Sequence, residues 1–262
     1  ASVTTSAGTY TALGYSECDE VLGTGYINGE GVGGYVSSGT GEANLEFVMD
    51  GQQIYPEYLT DMNVLICPSD AAGDIVADGK WNINADTTLG IDPCAQTAES
   101  YTYTPWLIDP DWTHVAGTDP NGSPAPVNVD FVLSVQAVLV KMLTAAGTYH
   151  AGGAGIPAGL QLAEGAMESD IAMVGTLSGE TALRLREGVE RFMITDINNP
   201  AGSAKASSEL VVMFDLVSTT TEEFNHLPGG SNVLYADGHV GFVKYPSEYP
   251  ATRAFATIVS LF

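Results

Sequence analysis

The apolar residues between Asp130 and Ala146 recur at steps of three and four, which is the spacing of one face of an α-helix. These positions are Phe131, Val132, Val135, Val138, Leu139 and Met142. Asn128 or Asp130 is placed to cap the start of the helix, and Gly147 supplies a stop after it. Lys141 is the only charge after the first residue, so the sequence predicts a helix buried on most of its sides.

A second helix is predicted from about Gly179 to Met193, where acidic and basic residues are interleaved with apolar ones. Glu187 and Arg191 stand four residues apart, a spacing at which opposite charges support a helix.

Three further segments are predicted as strands. Tyr and Thr alternate after Tyr101, and the run from Glu209 to Asp215 is rich in β-formers. The run from Val64 to Asp70 resembles a short buried strand that Pro68 ends.

The clearest local signal is a β-hairpin near the C-terminus. Two β-rich runs, 232–236 and 239–245, flank the dipeptide Asp237-Gly238. Asp-Gly between such runs predicts a tight turn, because both central residues of that turn need positive φ.

Together these elements predict an α+β fold, in which an antiparallel sheet ends in the 232–245 hairpin and two main helices pack beside it. The predicted domain covers residues 42–250, and the four prolines within 109–128 make that stretch a loop insertion. Residues 1–41 form a Ser/Thr/Gly-rich arm that needs another surface to order it, or else stays mobile. Residues 251–262 form an apolar tail that is covered either by the subunit's own core or by a neighbour.

The charge balance limits the partners of this chain. It carries 32 acidic and 8 basic residues, for a formal net charge of −24, so nucleic acid and anionic membrane surfaces are excluded as partners. Only 15% of the residues are charged, and solubility therefore rests heavily on Ser, Thr, Asn and Gly. This balance indicates a secreted or cell-surface protein.

The three cysteines are Cys18, Cys67 and Cys94. Cys67 and Cys94 bracket a Gly/Asp/Asn-rich loop, and we expect a disulfide between them in an oxidising compartment. Cys18 is then a free thiol or joins another chain.

Oxygen-rich side chains make two candidate cation sites, for which Ca²⁺ is the expected ion. The first draws on Asp196, Asp215, His226 and Asp237, with Asn232 and His239 nearby around the hairpin. The second draws on Asn82, Asn84, Asp86 and Asp92. Both sets have sufficient structural roles as well, since Asp237 is a natural turn residue and His226 is placed to bond backbone in the Pro-Gly-Gly loop.

No sequence motif for catalysis is present: the chain lacks GxSxG, HExxH, a P-loop, a dinucleotide fingerprint and CxxCH. The sequence therefore predicts a protein that is not an enzyme and has no certain cofactor. Asn121-Gly-Ser123 is a formal glycosylation sequon.

Several blocks of the chain resemble bacterial prepilin-like proteins, which carry a C-terminal signature of a His, nine arbitrary residues and Asp-Gly. Here His226 precedes Asp237-Gly238 with ten residues between them. The resemblance covers roughly residues 50–106 and 180–250, and it includes the runs IYPEYL, NVLICPSD and REGVERFMITDINNP. It implies a secreted pseudopilin-like domain, whose membrane contact runs only through an N-terminal apolar helix that is missing or cleaved here.

We expect a structural subunit that polymerises with copies of itself through its two termini into an extracellular filament or sheath. The alternative is a minor pseudopilin of a secretion apparatus, a binding module that recognises a secreted substrate or polysaccharide. An acidic hydrolase using His226, Asp237 and His239 is a third hypothesis.

Overall fold

The computed structural model describes residues 2–5, 8–11, 49, 54–70, 79, 81–82, 86–91, 98–150, 158, 161–162, 165–166, 168–186, 189, 207–220, 224–226 and 229–261. The chain divides into two compact units. The first comprises Ala1–Tyr101, Val135–Glu168 and Phe262, and the second comprises Thr102–Ser134 and Ser169–Leu261.

The first unit opens with a small antiparallel hairpin within the predicted N-terminal arm. Strands β1 (Ser2–Thr5) and β2 (Gly8–Thr11) pair with each other, with Val3 opposite Tyr10, and form a two-stranded sheet of their own. Alternating Thr, Val and Tyr residues suit this extended pairing. The other residues of the arm, 1, 6–7 and 12–41, lie outside the described part of the chain.

The short strand predicted to begin at Val64 and to be ended by Pro68 is wrong. Met62–Leu65 is a 3₁₀ turn, and the Asp61 carboxylate caps it by accepting from Asn63 N at 2.9 Å. Its buried residues are Met62 and Leu65, three apart, whereas Val64 is exposed. This spacing suits a helical turn and not the two-residue alternation of a strand.

The second unit is built on an antiparallel sheet. Among the described residues, four strands lie in the order β3 (Tyr101–Tyr103), β6 (Val211–Asp215), β7 (Gly230–Tyr235) and β8 (Val240–Lys244). The smaller strands β4 (Ile171–Ala172) and β5 (Thr181–Ala182) pair with each other. The pairing of β6 with β7 shifts register between Val211 and Met213, a β-bulge beside the centre of the sheet.

The predicted hairpin is confirmed, with its turn displaced by one residue. Tyr235 O accepts from Gly238 N at 2.9 Å, so Ala236 and Asp237 are the central residues of the turn. Gly238 follows with φ 89°, and Tyr235 N donates to His239 O. A three-residue loop with glycine in the left-handed region replaces the two-residue Asp-Gly turn.

The C-terminal apolar segment folds onto its own unit. Helix α2 (Arg253–Val259) buries Ala254, Phe255, Ala256 and Ile258. The Phe255 ring makes edge contacts with Phe214 of β6, at a centroid distance of 5.7 Å, and with Tyr249 at 4.7 Å. Of the two alternatives for the tail, the first applies: it is covered by the core of its own unit.

A turn from the proline-rich loop caps α2. Asn121 Oδ1 accepts from Arg253 N at 3.1 Å, and Pro120 O accepts from Ala254 N. Thr252 Oγ1 accepts from Phe255 N, so three of the free N–H groups at the helix start are satisfied. Asn121 Nδ2 also donates to Ser247 O at 2.7 Å, which gives the sequon asparagine a structural role.

The long helix α1 (Val129–His150) confirms the first predicted helix and continues through Gly147. Asn128 Oδ1 accepts from Asp130 N, so Asn128 is a side-chain cap. Asp130 Oδ2 in turn accepts from Thr176 N at 2.8 Å and Thr176 Oγ1 at 2.7 Å, which ties the 175–177 turn to the helix start. These hydrogen bonds lower the pKa of Asp130.

The predicted helix from Gly179 to Met193 is wrong where the chain is described. Thr181–Ala182 is strand β5, and Arg184 forms an antiparallel bridge with Trp106. Leu183 and Leu185, two residues apart, both pack on a cluster of buried residues consisting of Leu107, Val189 and Leu210. A period of two places them on one side of an extended chain, and this contact outweighs the helical charge spacing.

The predicted α+β class is confirmed: helices accompany antiparallel sheets. The second helix with defined ends is α2 and not the one predicted at 179–193. Within the described residues, no helix has the length and apolar character needed to cross a membrane.

We predict that Gly175→Ala destabilises the second unit. Gly175 has φ 60°, and a Cβ there would lie 2.3 Å from the Asp130 carboxyl carbon. The matched control is Gly117→Ala, which also lies in the second unit and has φ 77° but open space around its Cβ. Left-handed strain alone costs about 1 kcal/mol, so urea unfolding should show roughly that loss for the control and a larger loss for Gly175→Ala. Equal losses would show that the contact with Asp130 is unimportant.

Candidate functional site

A buried carboxylate lies at the end of strand β6. Asp215 is 0% exposed, and its Oδ2 accepts from Asn232 N at 2.6 Å and from Asn232 Nδ2 at 2.9 Å. Its backbone O accepts from Ser231 Oγ at 3.0 Å. The side chain therefore fastens the end of β6 to the neighbouring strand β7 by both backbone and side-chain hydrogen bonds.

His226 completes this cluster, which we call the Asp215 cluster and which consists of Asp215, His226 and Asn232. His226 Nε2 lies 3.1 Å from Asp215 Oδ2 and 2.9 Å from Asn232 Nδ2. Burial raises the pKa of the Asp215 carboxyl, and the Asn232 hydrogen bonds and the His226 ring oppose that shift. Asp215 Oδ1 is buried and has no hydrogen-bond partner among the described residues.

Asp237 does not join this cluster. Its Oδ1 accepts from His239 N at 3.0 Å and lies 2.6 Å from His239 Nδ1 at the tip of the hairpin. These contacts lower the pKa of Asp237. Strand β7 separates the two sites, since the three steps from Asn232 to Tyr235 span roughly 10 Å.

The structure thus separates the residues predicted as ligands around the hairpin into two different places. Asp215 and His226 belong to the buried cluster, and Asp237 and His239 belong to the exposed turn. Asp196, the fourth predicted ligand, lies outside the described residues.

The other predicted sites are described in part. Cys67 is buried, while its predicted partner Cys94 and Cys18 lie outside the described residues. In the second cation candidate, Asp86 Oδ1 accepts from Thr88 N and Oγ1, and Asn82 Nδ2 donates to Leu89 O. Both side chains shape their own turn, and Asn84 and Asp92 lie outside the described residues.

A cleft of about 530 Å³ opens beside the hairpin turn, within the second unit. The carboxylates of Asp111, Glu209 and Glu248 line it together with Tyr235 and His239. The two rings stack with centroids 4.3 Å apart and planes 6° apart. Burial and the Glu248 charge raise the pKa of Tyr235.

His114 lines the same cleft, and its Nδ1 is buried with no hydrogen-bond partner within the described ranges of the chain. The cleft has the size of a small-molecule site and presents acidic and aromatic groups. Sequence reasoning missed it because its residues come from the 109–128 loop, the start of β6, the hairpin and the 247–252 turn. No spacing along the chain joins these segments.

Strand β8 forms an open edge of the sheet among the described strands. Its Val240 and Phe242 side chains are 62% and 59% exposed. Such an edge is a template for pairing with another chain.

Neither a protein-family model, nor a curated protein, nor a solved structure matches this chain.

We predict that Asp215→Ala destabilises the fold by about 3 kcal/mol, because it removes the carboxylate that accepts from both Asn232 N and Asn232 Nδ2 and leaves space at a fully buried position. Asp237→Ala is the matched control, since it removes an exposed carboxylate that also accepts a backbone hydrogen bond. Guanidinium unfolding of both variants tests this. A loss at Asp215 no greater than at Asp237 would contradict the central role given to the buried carboxylate.

Proposed function

We propose that this protein is a structural subunit of an extracellular filament or sheath, in which the open edge of β8 receives the next copy of the chain. The observation that carries this proposal is that β8 pairs on one side alone among the described strands and exposes apolar side chains. The acidic, Ser/Thr/Gly-rich composition and the resemblance to prepilin-like proteins support an extracellular location and an assembling subunit.

The backbone of β8 leaves one set of N–H groups for a partner. Tyr235 N donates to His239 O, and Tyr245 N donates to Gly229 O, so these odd-numbered positions face β7. Bonding directions alternate along an antiparallel strand. The N–H groups of Val240, Phe242 and Lys244 therefore point to the open edge.

The side chains on this edge favour association. Val240, Phe242 and Lys244 share a face, and the register places Val240 opposite Leu234, which is opposite Met213 of β6. Leu234 and Met213 are partly exposed, so the apolar surface continues across three strands. Edge strands of monomeric proteins commonly carry inward charges or prolines, and the only charge within β8 is Lys244 at its end.

The N-terminal hairpin β1–β2 is the segment that we propose to add to this edge. Residues 1–11 contain no charged side chain, whereas the whole chain carries a net charge of −24. Copies of so acidic a chain repel each other, so contacts between copies are favoured where charge is absent. A two-stranded hairpin is also marginally stable alone and gains hydrogen bonds by joining a larger sheet.

This arrangement joins two different surfaces, a head-to-tail contact that propagates as an open filament when the rotation between copies does not close into a ring. The C-terminal segment takes no part in it, because the apolar side chains of α2 are buried in their own unit. Of the two termini expected to join subunits, this proposal retains only the N-terminus.

We predict that Phe242→Lys abolishes assembly, although it makes the net charge less negative and weakens general repulsion. Phe242→Leu is the matched control, since it keeps an apolar side chain on the edge. Negative-stain microscopy and light scattering should show filaments for the wild type and the control and single particles for Phe242→Lys. Filaments of normal length from Phe242→Lys would contradict the edge-strand proposal.

A second test removes the N-terminal hairpin that is proposed to add to β8. Deletion of residues 1–11 should give particles that do not polymerise, and a synthetic peptide of residues 1–11 should bind this variant, whose β8 edge is vacant. A peptide of the same composition in scrambled order is the control. Polymerisation of the deletion variant would contradict the role of the hairpin while leaving a role for β8 intact.

The cleft beside the hairpin turn favours the alternative function, a binding module that recognises a secreted substrate or polysaccharide. The stacked Tyr235 and His239 rings and the three carboxylates suit contacts with a sugar, whose faces pack on aromatic rings and whose hydroxyls donate to carboxylates. A persistently monomeric wild-type protein that is stabilised by an oligosaccharide would favour this alternative.

A further inference from the structure

The hydrogen-bonding groups of the Asp215 cluster are in conflict. Asp215 Oδ2, His226 Nε2 and Asn232 Nδ2 form a triangle with sides of 2.9, 2.9 and 3.1 Å. Asn232 Nδ2 has two hydrogens and can donate to both of the other atoms. The lone pair of a neutral His226 Nε2 then faces the ionised Oδ2 at 3.1 Å, so two acceptors meet without a hydrogen between them.

A proton on Nε2 relieves only part of this conflict. It makes a hydrogen bond to Oδ2, but it then faces the hydrogen that Asn232 Nδ2 directs at the same nitrogen. Reversing the Asn232 amide puts its oxygen 2.9 Å from Oδ2, which is again a contact of two acceptors. When the carboxylate is ionised, neither arrangement of hydrogens satisfies all three atoms. A positive charge that contacts both Oδ2 and Nε2 would satisfy them.

The other carboxylate oxygen provides an independent observation. Asp215 is 0% exposed, and in the part of the chain that the structure describes its Oδ1 has no hydrogen-bond partner. A buried acceptor left unpaired is costly, and a proton held between Oδ2 and Nε2 does nothing for it. A metal ion does, because a carboxylate can coordinate through both oxygens.

We infer that the Asp215 cluster is a binding site for a divalent first-row transition ion such as Zn²⁺, with Asp215 and His226 as ligands. Imidazole nitrogen combined with carboxylate oxygen is a donor set for Zn²⁺ and its neighbours, whereas Ca²⁺ takes six to eight oxygens. The expectation of Ca²⁺ from the sequence is therefore replaced by a transition ion.

The surroundings suit ion entry and ligand orientation. The His226 side chain is 27% exposed, so an ion reaches the buried carboxylate past this ring. Asn232 holds Oδ2 through its backbone and side chain, a hydrogen bond of the kind that orients metal-binding carboxylates. The Phe242 ring meets the His226 ring edge-on, with centroids 6.2 Å apart, and provides an apolar wall.

The test uses the full chain stripped with a chelator and titrated with Zn²⁺ alone. We expect about one equivalent to bind by calorimetry, with a rise in melting temperature that Ca²⁺ does not produce. Bound Co²⁺ should give visible absorption bands, and these should disappear when Zn²⁺ displaces the Co²⁺. Binding should weaken as the pH falls, since protons compete for the imidazole.

His226→Gln tests the ligand assignment without uncovering the buried carboxylate, and we expect Zn²⁺ affinity to fall at least tenfold. His239→Gln is the matched control, because it removes the ring of the exposed His239–Asp237 pair. Circular dichroism verifies that both variants fold. The inference is overturned by equal losses in the two variants, by unchanged affinity in His226→Gln, or by the absence of Zn²⁺ binding to the wild type. In the last case, an NMR spectrum that shows a protonated His226 ring at neutral pH would assign the positive charge to a proton.

Discussion

The second unit depends on the burial of one carboxylate. Placing Asp215 at 0% exposure removes it from water, which disfavours its charged form unless hydrogen bonds and positive charge offset the loss. Three contacts converge on Oδ2: the Asn232 N–H, the Asn232 amide and the His226 ring. They fix the end of β6, the middle of β7 and the loop before β7 relative to one another.

The two candidate sites of this unit lie on opposite faces of strand β7. Successive side chains of a strand point to opposite sides. Val233 faces the same side as its partner Phe214, which packs against Phe255 of α2, and Tyr235 follows on that side and borders the cleft. Asn232 and Leu234 face the other side, with the Asp215 cluster and the exposed apolar residues of β8. A shift of one residue in the register would exchange the two faces and destroy both sites.

The sequence predicted the elements whose signals are local. Helix α1, strand β6 and the 230–244 hairpin follow from periodicity, capping and Asp-Gly, which act over a few residues. The predictions that were wrong concern segments whose structure depends on distant contacts. Leu183 and Leu185 are drawn into an extended chain by the Leu107 and Leu210 side chains, which no local spacing reveals.

The candidate sites also combine what the sequence reveals locally with contacts that only the fold brings about. His226 and Asp215 were predicted as ligands from residue type alone, and the fold brings them together across 11 positions of sequence because β6 and β7 are adjacent. Asp237 was grouped with them because it is close in sequence to Asn232, but the strand carries it roughly 10 Å away to the turn. The cleft draws His114, Glu209 and Glu248 from three distant segments, so only the folded chain reveals it.

In the proposed filament, charge limits which surface of one copy can contact the next. With 32 acidic and 8 basic residues, most faces of the subunit repel the same faces on a neighbour. The repulsion between exposed charges is screened within about 10 Å at 0.1 M salt, which leaves close contacts affected most. Strand β8 lacks acidic residues, and residues 1–11 lack charge altogether, so strand addition at this edge brings backbone hydrogen bonds together without opposing carboxylates. In the proposed filament, the acidity of the chain therefore favours association in a single direction, from an uncharged hairpin to an edge that has no acidic residue.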